Sequence, residues 1–281
     1  MDTKERIVLL DNGSVRAAST LELRRIAAEL SRQLSEEVWP VSLQHSDKVS
    51  ETELSGEAAR TWVEFLKEAE GSSVKRLRVI PLFFGPSAAV TRRAPALARE
   101  ALGGDQKMRL TFGETLANTD GCSDLAEVML EGVCGILDTI EKTERPIILL
   151  VDHGSPNRKV AECRDGVATE LRQKLGSKVS RVVACSMERR EGAAYDFCDP
   201  LLGAALDDLA REGTREVIVC LMFFSPGRHA GPGGDIAEIC EQSEFSKKGG
   251  RIRFTPLVGA LPSLVGLLAK RLPGKQEASS R

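Results

Sequence analysis

Two apolar runs, "IVLL" at Ile7–Leu10 and "IILLV" at Ile147–Val151, each end in Asp-X-Gly-Ser, beginning at Asp11 and Asp152. The offset is 141 residues. "PLFFGPS" from Pro81 is echoed by "LMFFSPG" from Leu221 at an offset of 140, and "VSLQHS" from Val41 by "CSMERR" from Cys185 at 144. Three matches in one order at nearly one offset mark an internal duplication. Two copies make a pair of pseudo-symmetric domains, not a solenoid. The expected domains are residues 1–143 and 144–273, with 274–281, "GKQEASSR", a disordered polar tail.

Each copy alternates short β-rich runs with longer amphipathic segments. Strands are predicted at Ile7–Leu10, Val38–Leu43, Leu77–Leu82 and Met108–Phe112. In the second copy they fall at Ile147–Val151, Val179–Cys185, Glu216–Met222 and Ile252–Pro256. Helical spacing covers Leu21–Ser35, Gly56–Ala69, Arg93–Leu102 and Asp124–Ile140, then Val160–Lys174, Pro200–Glu212, Asp235–Cys240 and Ser263–Leu272. Strands apolar on both faces belong in sheets covered on both sides. The fold class is α/β, each domain a parallel sheet of about four strands flanked by helices, with right-handed crossovers.

Charge and cysteine usage narrow the function. A formal net charge of −2 argues against a general nucleic-acid binder. The seven cysteines form no CxxC pair, so neither a disulfide framework nor a zinc or iron–sulfur cassette is indicated. No run approaches the ~20 apolar residues that span a bilayer, and the expected location is cytoplasmic.

The copies share a scaffold and differ in chemistry. His153 stands where the first copy has Asn12. Arg228 and His229 stand against Ala88 and Ala89, and Glu188 against Gln44. At these aligned positions, groups able to bind metal or move protons thus occur only in the second copy, which predicts one working site and one copy that has lost it. Ligands of open parallel sheets bind beyond the carboxyl ends of the strands, and His153, Glu188 and His229 each follow a predicted strand. Two neutral imidazoles without thiolates make an open site for Fe, Co, Ni or Zn. Either histidine alone is as readily a turn or surface residue; the two together on post-strand loops favour a shared site. Glu188 is a candidate general base, although in "ERRE" it also reads as solvated charge. Arg158, Lys159, Arg189, Arg190 and Arg228 supply cations suited to carboxylates. The Gly-rich "HAGPGGD" reads as a mobile or tightly turning loop before a helix start at Asp235. It is not a P-loop. Ser155 lies outside any GxSxG elbow, and the GxGxxG glycines of a dinucleotide site are absent.

"LLVDHGS" at Leu149–Ser155 followed by "FFSPGRH" at Phe223–His229 resembles the sirohydrochlorin chelatases of the CbiX and SirB type. The resemblance is strong over 146–242 and weaker over 7–101, as the family's duplicated half. It implies two tandem chelatase-like domains and insertion of a divalent metal into a tetrapyrrole without an energy cofactor. By the same resemblance His153 and His229 hold the metal, and Glu188 assists removal of pyrrole protons. Ser155, Arg158, Arg189, Arg190, Gly227 and Arg228 are the corresponding substrate-binding candidates. The family runs from its last histidine almost directly to an acidic residue; here "AGPGG" intervenes, and no ligand is carried over from the following helix.

The expected activity is therefore a sirohydrochlorin cobaltochelatase or ferrochelatase of cobalamin or siroheme synthesis, cobalt ahead of iron. The metal (Co, Fe or Ni) is a substrate, and no permanently bound cofactor is expected. The partner is sirohydrochlorin or a related tetrapyrrole, with no nucleic acid and no membrane, in a monomer or homodimer. A non-catalytic metal or tetrapyrrole carrier is the alternative.

Overall fold

The computed structural model describes residues 5–103, 108–118, 121–141 and 145–274. The first repeat runs β1 (Glu5–Asp11), α1 (Ala17–Leu34), β2 (Val38–Ser42), α2 (Trp62–Gly71), β3 (Arg76–Pro81), α3 (Ala94–Leu102) and β4 (Arg109–Phe112), followed by α4 (Ser123–Leu137). The second runs β5 (Ile147–Asp152), α5 (Arg158–Leu175), β6 (Arg181–Ser186), α6 (Leu202–Arg211), β7 (Glu216–Leu221), α7 (Asp235–Gln242), α8 (Glu244–Lys247), β8 (Arg251–Phe254) and α9 (Ser263–Lys270). All eight expected strands form. They build two four-stranded parallel sheets, ordered β2-β1-β3-β4 and β6-β5-β7-β8.

Central strands β1 and β5 are flanked on both sides and covered on both faces. Val8, Leu9 and Leu10, like Ile148, Leu149, Leu150 and Val151, have no exposed surface. This is why their sequence reads as a continuous apolar run rather than an alternation. In α1 the core face is Leu23, Ile26, Ala27 and Leu30, and in α2 it is Trp62, Phe65, Leu66 and Ala69. Both follow the helical period.

The register carries the duplication into three dimensions. Asp11 pairs with Ser42 and Asp152 with Ser186. Leu43 N donates to Asp11 O at 2.9 Å, and Met187 N to Asp152 O at 2.8 Å.

Packing divides the chain into two compact units that differ from the sequence repeats expected to meet near residue 143. Among the described residues, one unit comprises 5–83, 88–103, 108–116 and 265–274; the other comprises 84–87, 117–118, 121–141 and 145–264. Helix α4 follows β4 in the chain but belongs to the second unit. Its Cys122 cap lies against α5, where a Cβ added to Gly166 would sit 2.6 Å from the Cys122 Sγ. The tail expected to be disordered lies, from residue 275, outside the described residues. Among the described residues no helix is long and apolar enough to cross a membrane.

Helix starts depart further from expectation than strands do. The helix expected from Gly56 begins at Trp62, because Thr61 and Glu64 form a capping box there. The four-residue α8 has no counterpart among the expected helices.

Candidate functional site

The site lies at the carboxyl ends of β5, β6 and β7, within the second unit. The β5 turn is shaped by Gly154, whose φ is +93°. A Cβ there would stand 1.8 Å from the Glu188 carbonyl oxygen, so only glycine lets the two segments approach. Glu188 N donates to His153 O at 3.2 Å, which ties the residue after β6 to the histidine after β5.

Beneath this turn is a buried polar cluster. Ser186 Oγ donates to Asp152 Oδ1 at 2.7 Å, and Gly154 N donates to the same oxygen at 3.1 Å. Arg164, 1% exposed, brings its Nη1 to 3.5 Å from Asp152 Oδ1 and donates to Ser186 Oγ. Its Nη2 donates to Phe197 O at 3.1 Å and to Asp165 Oδ1 at 2.7 Å. Burial pushes the Asp152 carboxyl up from its usual range, against the opposing pull of Arg164 and Ser186. One arginine thereby links β5, β6, α5 and the turn at Ala193–Cys198 that supports the loop bearing Glu188.

Three of the expected residues come together above this cluster. The His153 and His229 rings lie 4.6 Å apart between centroids, edge to face at 80°. The Glu188 Oε1 is 3.6 Å from His153 Nε2. His153 Nδ1 is 3.1 Å from the Gly154 carbonyl, and His229 Nδ1 is 2.7 Å from Asp235 Oδ2. The Asp235 carboxylate favours the Nδ1–H tautomer of His229 and leaves a lone pair on its Nε2, whereas His153 has the Gly154 carbonyl at Nδ1 and the Glu188 carboxylate near Nε2. Among the described residues no group of three or more His, Cys, Asp or Glu side chains is arranged to hold a metal ion. The histidine pair and Glu188 are an open set, not a closed cage.

The substrate-binding candidates divide. Arg189 is engaged within the protein: Nη1 lies 3.0 Å from Asp196 Oδ1 and Nε 3.0 Å from Asp199 Oδ1, and Nη1 also donates to Gly192 O. Arg158 lies 4.6 Å from the Phe197 ring centroid, and Arg190 lies 5.9 Å from that of Tyr195; both stay exposed. Arg228 is 74% exposed, with its Nε 3.6 Å from Asp235 Oδ2. Ser155 Oγ accepts from Asn157 N at 3.1 Å and shapes the entry to α5. Gly227 N donates to Ala230 O at 2.7 Å and closes the turn before His229.

Two contributors went unassigned in the sequence. Asp235 marks a helix start in the sequence, from which the resemblance carries over no ligand, yet its carboxylate meets His229 Nδ1. Arg164 had a signal, since it falls on the face of α5 that also carries Ala161, Val167, Ala168 and Leu171. A cation on an apolar face implies a buried partner.

In the first repeat the same turn is present without this chemistry. Gly13 has φ +81°, and a Cβ there would meet the Gln44 carbonyl oxygen at 1.8 Å. That contact makes Gln44 the counterpart of Glu188, as the sequence offset implied. Leu23 stands 141 residues before Arg164, so the first repeat has no arginine at the matching position.

Residues 147–274 match the family model CbiX. No curated protein matches the chain by sequence. Among solved structures, SirB from Bacillus subtilis with Fe3+ is similar at 14% identity and a TM-score of 0.69, over 95% of this chain and 94% of that one. The sirohydrochlorin chelatase SirB from Bacillus subtilis subspecies spizizenii, in complex with cobalt, is similar at 16% identity and a TM-score of 0.62, over 96% and 94%. A multi-domain protein from Deinococcus radiodurans with structural similarity to chelatases matches at 14% identity and a TM-score of 0.60, over 99% of this chain and 56% of that one. Residues 147–274 are thus similar to the CbiX family, and the chain has a two-domain chelatase-like fold whose N-terminal repeat has no counterpart of His153 or His229.

Proposed function

We propose that the second unit inserts a divalent metal into sirohydrochlorin, with cobalt the favoured metal and iron next. The observation that carries this reading is the edge-to-face pair His153–His229 at 4.6 Å, with both Nδ1 atoms engaged and Glu188 3.6 Å from His153 Nε2. The CbiX match supports the family's activity, and the similar SirB structures, described with Fe3+ and with cobalt, support a transition metal as substrate.

Insertion exchanges two pyrrole N–H protons for one M²⁺, so the site must both release a metal and accept protons. Two imidazoles hold the ion through neutral nitrogens without neutralising it, which keeps it available to the more basic macrocycle nitrogens. Glu188, 61% exposed at its side chain, takes up a proton and passes it to solvent. Arg158, Arg190 and Arg228 pair with peripheral carboxylates and orient the ring. Arg189, fastened to Asp196 and Asp199, fixes the shape of the loop that carries Arg190. No step requires a nucleotide or a resident cofactor. The protein acts in the cytoplasm on a free tetrapyrrole, as a monomer or homodimer.

The test is anaerobic spectroscopy of sirohydrochlorin with Co²⁺, Fe²⁺ or Ni²⁺ in separate reactions, each against its spontaneous rate. Acceleration that ranks cobalt first supports the reading. A shifted tetrapyrrole spectrum with no acceleration for any metal would replace it with a non-catalytic carrier.

A further inference from the structure

We propose that Asp235 is the positioning residue of His229, and that the Gly-rich segment between them is the device that brings it there. This rests on the reading of His229 as a metal-holding residue. Five residues separate His229 from Asp235, yet the chain closes on itself over that span. Gly227 N donates to Ala230 O at 2.7 Å and Gly234 N to Gly231 O at 3.1 Å. The first amides of α7, those of Asp235 and Ile236, donate to Arg228 O and His229 O, each at 3.0 Å. A Cβ at Gly234 would stand 3.0 Å from both of those carbonyls, so a side chain there would press on this closure. Ala230, 2% exposed, anchors the loop in the same apolar cluster as Ile236 and Cys240.

The result is a carboxylate 2.7 Å from His229 Nδ1, with the Arg228 guanidinium 3.6 Å from the same oxygen. The imidazole donates its Nδ1–H to Asp235, which fixes the ring plane, selects the tautomer and leaves the lone pair on Nε2. His153 has only a backbone carbonyl at its Nδ1. The two histidines are therefore unequal, and His229 is the more strongly polarised donor. Carboxylate partners of this kind typically change metal affinity by about 10–100-fold.

The experiment titrates the full chain with Co²⁺ alone, followed by its visible absorption, for wild type, H229A, D235A and D235N. Long-range ¹H–¹⁵N correlation reads the His229 tautomer in the metal-free proteins. The expected result is cobalt affinity about tenfold or more weaker in D235A, partly recovered in D235N, whose amide oxygen still accepts from Nδ1–H. The tautomer should move toward Nε2–H in D235A. If D235A also melts lower, D235N carries the comparison. Weakened binding in H229A with wild-type affinity and tautomer in both Asp235 variants overturns this inference and leaves the proposed function standing. Wild-type affinity in H229A itself overturns the reading of the site.

Discussion

Asp11 and Asp152 end equivalent strands, each bonded to the amide of a glycine two residues on, and they differ in what lies beneath them. Arg164 stands under Asp152, whereas the first repeat has Leu23 at the matching sequence position. Burial then lifts the Asp11 carboxyl from 3.8 to about 6, only partly opposed by Ser42 and Gly13, and its Oδ1 has no hydrogen-bond partner. Below pH 3.8 the group is protonated in folded and unfolded chains alike. Between 3.8 and about 6 the unfolded chain loses the proton first, so stability falls as pH rises; above about 6 the penalty is constant. Its full size is about 3 kcal/mol. Asp11→Asn should therefore raise stability at pH 7 and flatten the profile between pH 4 and 6 in urea titrations. In the second repeat, Arg164→Leu leaves Asp152 buried without its cation and should cost about 3–5 kcal/mol, of which Asp152→Asn in the same chain restores a part. That His153, His229 and Glu188 come together was legible in the sequence because a duplicated scaffold exposes whatever differs between its copies. Asp235 was not, because a five-residue insertion hides a contact that depends on how the loop closes.

Strands were more legible than helices, and the reason is local. Val8–Leu10 and Leu149–Val151 are apolar on consecutive positions, and a run this short that ends in a Gly-containing turn suits a doubly covered strand better than a helix. Helix limits depend on caps and turns instead. The capping box of Thr61 and Glu64 starts α2 six residues after Gly56, where the periodicity alone placed it. At this scale the β5 turn is the most exacting element. Gly154→Ala must accommodate both a positive φ and a Cβ 1.8 Å from the Glu188 carbonyl. It should cost at least about 2 kcal/mol and widen the spacing between His153 and Glu188. Thermal melting measures the first effect, and loss of metal-insertion rate beyond the loss in folded fraction measures the second.

For the whole molecule, the number of sheets and the likeness of their strand orders follow from the duplication, but the helix assignment does not. Nothing in the sequence of an amphipathic helix names the sheet it will cover. Helix α4 belongs to the second unit although it ends the first repeat, and its Leu125, Val128, Met129 and Val133 are buried. Each such side chain is worth about 1.5–3 kcal/mol when fully buried, so four of them rival the stability of a domain. A fragment of residues 144–281 should consequently be unfolded or molten by near-ultraviolet circular dichroism, whereas one starting at residue 117 should retain more native signal. Equal cooperative melting of both would contradict this partition. The central claim is that one repeat works and the other has lost its chemistry. It is tested most directly by the rate of cobalt insertion into sirohydrochlorin in two full-length double variants. His153→Ala with His229→Ala should fall to the spontaneous rate, while Asn12→Ala with Gln44→Ala should keep the wild-type rate. Undiminished insertion in the histidine variant, or loss confined to the Asn12 and Gln44 variant, would contradict the account.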